Sequence, residues 1–325
     1  MKLAIFGSEA RLGAIVGDQI LDLERAAGID KLAPEKGQIF RALIDLIESG
    51  NEGLDLADLL IEKFGRSDRV GLLTPLATAT LHAPFPGRRL AMAGNNFAHH
   101  VADAFTNFGK PITASEVYEK SRQGEAGGFW VVSPPVGPGS AVPIPNGADG
   151  VNGLFDFEGE LAVILGKGGK GLDADQWSDR IWGSTLVIDW SLRRHDIFAN
   201  QRAFYGHKVF DGGKSIGPWI NVGEVDPTDC DIETWVNGVL RQRFNTADMI
   251  FGFGEIFAQI STDFTLLPGD MLGSGTGPGT AADKSVPGAD GLLPLDLFLT
   301  PGDVVEVKAN GLGTLRGRVA PPSGK

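Results

Sequence analysis

Residues 155–165 read FDFEGELAVIL, a run in which most side chains are apolar. Side chains of a β-strand point alternately to its two faces, so the pattern predicts a strand with Phe157 and Leu161 on one face and Glu158 and Glu160 on the other. The two carboxylates then lie about 7 Å apart on a face that is otherwise apolar. Like charges on a half-buried face repel and raise each other's pKa. Either a divalent cation lies between them, or this end of the strand is open to solvent.

The composition sets broad limits on the kind of protein. A chain of 325 residues with 42% apolar and 22% charged residues has a sizeable core, in one large domain or two unequal ones. A net charge of −12 argues against a nucleic acid or an anionic membrane as partner. The single cysteine, Cys230, excludes an intrachain disulfide and a thiolate zinc site. The apolar run at Met1–Gly7 is too short for a signal peptide, and we expect a cytoplasmic protein.

The spacing of apolar residues and turns divides the chain in two. Short strands within residues 1–24 and two stretches of helical spacing within residues 38–65 predict a small α/β N-terminal domain over residues 1–78. Pro75, Pro84 and Pro86 mark a connector, and residues 79–325 form the second domain. Short strands with frequent glycine and proline over residues 86–320 favour a rolled or closed β structure. The expected fold class is α+β, mainly β.

A third carboxylate follows about thirty residues after Glu160. Asp189 lies near the end of the apolar run Ser184–Trp190, which predicts another strand. If that strand packs beside the first, Glu158, Glu160 and Asp189 converge, and three oxygen ligands suit Mg²⁺, Mn²⁺ or Ca²⁺ rather than zinc. Aspartates at strand ends are also common without a metal, so both interpretations stay open.

Two further positions have the residue types of acid–base chemistry. His100 and Asp103 are three residues apart in a polar helical stretch, so they share a helix face, as a carboxylate-oriented general base requires. A solvated helix face has the same pattern. Lys208 precedes an apolar pair; it would pair with the carboxylates and steady an oxyanion if buried, whereas most lysines are exposed.

Two glycine-rich stretches do not form complete nucleotide-binding motifs. Gly212-Gly213-Lys214-Ser215 resembles the end of a phosphate loop, but the position of the first glycine is Lys208. The stretch Gly273–Gly279 lacks the strand–turn–helix setting of a dinucleotide fingerprint. Its backbone N–H groups, such as that of Gly275, and the Thr276 hydroxyl could still contact a ligand.

Six motifs in the same order resemble the fumarylacetoacetate hydrolase family, over roughly residues 75–320. They are Ala93–His100, Phe157–Val163, Ile188–Arg193, Lys208–Asp211, Leu267–Asp270 with Gly273–Thr276, and Thr300–Val307. The resemblance implies a mixed β-roll or β-sandwich catalytic domain with a smaller N-terminal domain, and a homodimer.

The resemblance also implies site residues. By position, Glu158, Glu160 and Asp189 match the divalent-metal ligands of the family, for Mg²⁺ or else Mn²⁺ or Ca²⁺. His100 matches the general base, with Asp103 standing where acylpyruvate hydrolases have a glutamate partner. Lys208 matches the active-site lysine. The expected substrate contacts come from Arg193, on the arginine of the strand-end motif, and from Gly275 and Thr276 in the glycine-rich loop.

The expected activity is hydrolysis of a C–C bond in a β-diketone or acylpyruvate-type acid, a small-molecule substrate of aromatic compound catabolism. The same site in related enzymes could instead decarboxylate or isomerise a 2-oxo acid, or dehydrate a 2-keto-3-deoxy sugar acid. A non-catalytic metal-binding descendant is the third alternative. The chain departs from the family at three places. Ala93 stands where fumarylacetoacetases have a fourth carboxylate ligand, and Gly212 replaces a threonine that is common after the lysine motif. The residues before Pro134 lack a lysine that many relatives have.

Overall fold

The structure is a computed structural model that describes residues 1–107, 109–145, 154–193 and 208–322. Strands make up 34% and helices 25% of it, which confirms the predicted α+β, mainly β fold class. In the described residues the strands form two sheets, of eleven and five strands, and neither closes into a barrel. The described strands therefore do not form the closed β architecture, which was one of the two expected.

The strands lie close to the positions that the apolar patterns predict. They are β1 (Lys2–Phe6), β2 (Arg11–Val16), β3 (Gln19–Asp22), β4 (Leu73–Pro75), β5 (Leu81–His82), β6 (Leu90–Gly94), β7 (Gly127–Val131), β8 (Ala141–Pro143), β9 (Leu154–Leu165), β10 (Ile181–Arg193), β11 (Lys214–Asn221), β12 (Asp231–Val236), β13 (Val239–Asn245), β14 (Met271–Gly273), β15 (Val304–Ala309) and β16 (Gly313–Ala320). The longest two, β9 and β10, form an antiparallel pair.

The helices within the described residues have between 4 and 14 residues. They are α1 (Leu23–Ile29), α2 (Pro34–Gly37), α3 (Leu43–Glu48), α4 (Asn51–Phe64), α5 (Ala98–Asn107), α6 (Ala114–Ser121), α7 (Asp175–Ser178), α8 (Phe253–Ser261) and α9 (Ala281–Lys284), with 3₁₀ turns at Gln38–Phe40, Leu76–Thr78 and Thr246–Asp248. The spacing of apolar residues did not predict helix α1. Its sequence signal is the N-cap residue Asp22, whose side chain accepts the backbone N–H of Arg25. None of these helices is long and apolar enough to span a membrane.

The strand order places the central carboxylates in the middle of the large sheet. That order is β4-β3-β2-β1-β11-β10-β9-β14-β6-β7, with β5 also paired to β1, and the small sheet runs β13-β12-β15-β16-β8. Because β1 pairs with β11, the first strands of the chain extend the same sheet that contains β9 and β10. The domain boundary between residues 78 and 79 stays a prediction.

The two faces of the large sheet are covered differently. Phe157 and Leu161 on β9 belong to the same buried cluster as Val307 and Ile232 of the small sheet. Positions of the other parity, such as Ala162, belong to the cluster that includes the N-terminal helices. Burial on both faces explains why β9 is an almost continuous apolar run. It also means that the carboxylates of β9 are enclosed by protein.

Gly159 allows the two sheets to approach closely behind those carboxylates. A methyl group in place of its hydrogen would lie 2.0 Å from the Thr234 hydroxyl oxygen of β12 and 3.2 Å from a methyl carbon of Val307 in β15. Both distances are shorter than normal contacts. Only glycine therefore fits between Glu158 and Glu160 without moving the small sheet.

Candidate functional site

Three buried carboxylates meet where β9 and β10 lie side by side. Asp189 is directly opposite Glu158 in the antiparallel register, and Glu160 is two residues further along β9 on the same face. Their exposed fractions are 1%, 6% and 0%, and one ligand atom from each lies within 4.8 Å of the others. The structure thus brings the three predicted residues together, and a strand end open to solvent is the wrong interpretation.

The electrostatics of this cluster favour a bound cation. Burial, and then the charges of Asp189 and Glu158, hold the pKa of Glu160 well above its usual value. Glu160 accepts the backbone N–H of Gly275 at 2.9 Å through Oε2, whereas its buried Oε1 has no hydrogen-bond partner among the described residues. An all-oxygen donor set with a free buried oxygen fits Mg²⁺, Mn²⁺ or Ca²⁺.

Lys208 and Arg193 neutralise the side of the cluster nearest to Glu158. The Lys208 ammonium lies 2.7 Å from Glu158 Oε2 and 3.2 Å from Asp189 Oδ2, and it donates to Ser191 Oγ at 2.7 Å. Arg193 Nη2 donates to Glu158 Oε1 at 2.5 Å. Burial raises the pKa of Glu158, but the charges of Lys208 and Arg193 outweigh burial and hold it well below its usual value. Glu158 is therefore ionised.

Asp156 anchors the other end of Arg193. Its carboxylate accepts the guanidinium Nε of Arg193 at 3.0 Å and the backbone N–H groups of Ala281 and Ala282 at 2.9 and 3.1 Å. Asp156 has the same parity as Glu158, so the alternation of the strand already places it on this face. The residue therefore links the carboxylate cluster to the start of α9.

The general-base candidate His100 lies on α5 and contacts a different carboxylate from the expected one. Its Nδ1 is 2.8 Å from Asp283 Oδ2, which also accepts the backbone N–H groups of Gly279 and Thr280 at 2.9 and 3.1 Å. Burial lowers the pKa of His100, but the charge and the hydrogen bond of Asp283 outweigh it and raise that pKa above 6.5. A carboxylate that accepts from Nδ1 leaves Nε2 as the basic nitrogen.

Asp103 does not occupy the expected position beside His100. Its carboxylate is 41% exposed and lies 3.6 Å from the Lys284 ammonium. Three residues along a helix advance it by about 4.5 Å. With this offset Asp103 lies beside Lys284, the last residue of α9, and Asp283 is the residue in contact with the imidazole. The expected His100–Asp103 hydrogen bond is replaced, in the described residues, by a His100–Asp283 hydrogen bond.

The glycine-rich loop supports the site through its backbone and through Thr276. The Thr276 hydroxyl donates to the carbonyl of Gly159 at 2.8 Å and accepts from the side chain of Gln242 at 2.8 Å. Gly275 has a positive φ of +78° and directs its N–H at Glu160. The expected ligand-facing hydroxyl of Thr276 is thus committed to the strand that bears the carboxylates.

Six of the nine predicted site residues line one small cavity of about 100 Å³. They are His100, Glu158, Asp189, Arg193, Lys208 and Thr276. Phe129 and the Ala93–Asn95 segment complete the lining. We expect His195 and His207 at the surface, because their spacing matches no standard metal motif, and both lie outside the described residues.

Sequence reasoning missed three charged residues at this site. Asp283 has a local signal, the Thr280–Asp283 capping box, which marks a helix start but not a contact with His100. Asp156 could have been found from its parity with Glu158. Lys214, at the start of an apolar strand, is 2% exposed, and its ammonium lies 2.7 Å from Asp189 Oδ1. An interior lysine is rare, so its position in an apolar run was the available signal.

Comparison with known proteins gives consistent matches. Residues 89–320 match the fumarylacetoacetate (FAA) hydrolase C-terminal family. Protein Rv2993c of Mycobacterium tuberculosis is 30% identical over 291 residues, which are 88% of this chain and 96% of that protein. Oxaloacetate tautomerase YisK of Bacillus subtilis is 28% identical over 95% of both chains. The crystal structure of maleylpyruvate hydrolase from Sphingobium sp. SYK-6 with manganese(II) and pyruvate is 26% identical, with a TM-score of 0.71 over 99% of this chain and 100% of that one.

Proposed function

Since the chain belongs to the fumarylacetoacetate hydrolase family, we propose that it is a divalent-metal-dependent hydrolase that cleaves a C–C bond in an acylpyruvate-type or other β-diketo acid. The observation that carries this proposal is that His100, oriented by Asp283, lines the same cavity as Glu158 and Asp189. Hydrolysis needs a base for water, and this cavity has one beside a cation site. The similarity to a maleylpyruvate hydrolase that binds manganese and pyruvate supports the same substrate class.

Glu158, Glu160 and Asp189 are the residues that would hold the cation. When bound, a divalent cation supplies Lewis acidity to the oxygens of the 2-oxo acid end of the substrate. The residues above fit that role because their oxygens converge, are buried, and include one with no partner among the described residues. Arg193 and the Gly275 N–H fix the orientation of Glu158 and Glu160.

The proton transfers fall to His100. Its Nε2 takes a proton from water while the water oxygen bonds to the distal carbonyl carbon of the substrate. The bond between that carbon and the methylene group then breaks, and its electron pair remains on the methylene carbon as an enolate. Return of the proton to this carbon gives a carboxylic acid and a 2-oxo acid. The Lys208 ammonium at the cavity wall opposes the negative charge that develops.

A second candidate is proton movement without hydrolysis. The similarity to an oxaloacetate tautomerase over 95% of both chains favours keto–enol conversion of a 2-oxo acid. Decarboxylation, isomerisation and sugar-acid dehydration use the same enolate chemistry. The third candidate, a non-catalytic metal-binding protein, would retain the carboxylates and turn over none of these substrates.

A substrate panel distinguishes these candidates. Loss of β-diketone absorbance is followed for a set of acylpyruvates, and loss of the enol absorbance for oxaloacetate, each with manganese and with chelator. We expect manganese-dependent hydrolysis that falls about 100-fold or more in His100→Ala and is unchanged in His99→Ala, an exposed neighbour on α5. Retained oxaloacetate turnover without any acylpyruvate hydrolysis would support the second candidate. No turnover of any panel member would support the third.

A further inference from the structure

A second lysine is built into the row of charges that contains the metal-site carboxylates. Lys214 lies directly opposite Asp189 in the β10–β11 register, and Asp189 lies directly opposite Glu158 in the β9–β10 register. Residues opposite each other in neighbouring strands point to the same face. Lys214, Asp189 and Glu158 therefore form one line across three neighbouring strands, and the lysine is 2% exposed.

The surroundings of Lys214 fit the charged ammonium form. Its Nζ lies 2.7 Å from Asp189 Oδ1, and it donates to the backbone carbonyls of Lys208 at 2.5 Å and Gly213 at 3.1 Å. An ammonium has three N–H groups, and three oxygens surround this one. The ring of Phe129, whose centroid is 5.3 Å from Nζ, covers it on the side of the cavity. The cation is thus held in one place.

Fixed cationic or N–H groups of this chain lie against one oxygen of each metal-site carboxylate. The Lys214 ammonium forms an ion pair with Asp189 Oδ1 at 2.7 Å, Arg193 donates to Glu158 Oε1, and the Gly275 N–H donates to Glu160 Oε2. The opposite oxygens, Asp189 Oδ2 and Glu158 Oε2, contact the Lys208 ammonium, with which a cation would compete, and Glu160 Oε1 has no partner among the described residues. Each carboxylate therefore offers one oxygen rather than two.

Carboxylates that each offer one oxygen suit Mg²⁺ better than Ca²⁺. Ca²⁺ takes six to eight oxygen ligands and commonly binds carboxylates through both oxygens, whereas Mg²⁺ requires near-octahedral geometry with single oxygens and retained waters. We propose that Lys214 is a specificity-determining residue that holds Asp189 to one available oxygen and so selects Mg²⁺ or Mn²⁺ over Ca²⁺. This proposal rests on the proposed function, because it concerns the same metal site.

Metal titration without substrate tests the proposal. Chelator-treated wild-type protein and the variant Lys214→Gln are titrated calorimetrically with MnCl₂, MgCl₂ and CaCl₂ in turn. We expect the wild type to bind Mg²⁺ and Mn²⁺ at least about tenfold more tightly than Ca²⁺, and the variant to narrow that ratio to about threefold or less. Lys308→Gln, which removes the same charge from a half-exposed position on β15, is the matched control and should keep the wild-type ratio.

The outcomes separate this proposal from the proposed function. A wild-type protein that binds none of the three ions overturns the metal-dependent function, and this proposal with it. A wild-type protein that binds metal but takes Ca²⁺ as tightly as Mg²⁺ overturns only the role of Lys214. The same holds if folded Lys214→Gln keeps the wild-type ratio. If Lys214→Gln does not fold, the preference of the wild-type protein for Mg²⁺ and Mn²⁺ over Ca²⁺ is the remaining test of the proposal.

Discussion

His100 Nδ1 lies 2.8 Å from Asp283 Oδ2, although 183 positions separate the two residues in the chain. The same oxygen of Asp283 accepts backbone N–H groups of Gly279 and Thr280, so the carboxylate is fixed by the segment that precedes α9. Helix α5 supplies the imidazole, and the glycine-rich loop and its following turn supply its orientation. The base of the proposed reaction therefore depends on two distant parts of the sequence.

Substitution of Asp283 by Asn should shift the pH dependence of catalysis. The Asp283 carboxylate raises the pKa of His100 against the lowering effect of burial. Without that charge the pKa falls, the neutral base persists to lower pH, and the acidic limb of kcat/KM moves to lower pH. The rate at the plateau should fall about tenfold or more, because the imidazole loses a fixed partner. Steady-state kinetics from pH 5 to 9 measures both effects.

Asp103→Asn is the matched comparison for that experiment. Asp103 is exposed and lies beside Lys284 rather than His100. We expect its pH profile to coincide with that of the wild type and its rate to change less than that of Asp283→Asn. A shifted profile in Asp103→Asn together with an unshifted one in Asp283→Asn would restore Asp103 as the functional partner of His100.

Glu160→Gln should separate metal binding from folding. A glutamine still accepts the N–H of Gly275, and it cannot take the charged form that burial and the charges of Asp189 and Glu158 disfavour at this position. We expect the chelator-treated variant to melt at the wild-type temperature or above it. Manganese at 100 times its Kd should stabilise the wild type by about 2.7 kcal/mol and leave the variant unchanged. Thermal unfolding with and without MnCl₂ tests this, and an equal shift in both proteins would contradict the ligand assignment.

The carboxylate cluster could be predicted because its geometry is mostly local. Alternation within a single strand places Glu158 and Glu160 on one face, and a second apolar run ending near Asp189 is the natural neighbour. Alternation left two possibilities open, a cation between the carboxylates or a strand end open to solvent, and the burial of all three carboxylates decides against the second. The register that sets Asp189 opposite Glu158 confirms the expected convergence.

The rest of the site depends on which distant segments meet. Nothing in the sequence says that β11 pairs with β10, so the ion pair of Lys214 with Asp189 was not visible. Helical periodicity gave the face of α5 that contains His100 and Asp103, but it did not give the position of α9, and Asp283 was therefore missed. Periodicity predicts the direction of a side chain, whereas tertiary packing decides its partner.

A double-mutant cycle tests the close approach of the two sheets at Gly159. Gly159→Ala should lower the free energy of unfolding by about 1–3 kcal/mol, because the new methyl group meets the Thr234 hydroxyl. Thr234→Ala removes that hydroxyl, which has no hydrogen-bond partner among the described residues. The double variant should therefore recover part of the loss, as measured by urea unfolding. If the changes in unfolding free energy of the two single variants simply add in the double variant, the contact between position 159 and the Thr234 hydroxyl does not account for the loss of stability.

Lys208→Met should reduce catalysis and strengthen metal binding at the same time. The Lys208 ammonium lies 2.7 Å from Glu158 Oε2 and 3.2 Å from Asp189 Oδ2, so it competes for the oxygens that a cation would use. Its removal leaves those oxygens more negative, and the Kd for manganese should fall. The proposed enolate loses its positive neighbour, and kcat should fall about 100-fold or more. Calorimetry and steady-state kinetics on the same preparation measure the two effects, with Lys284→Met, an exposed lysine beside Asp103, as control. A parallel loss of metal affinity and rate would mean that Lys208 holds the carboxylates in place rather than acting on the substrate.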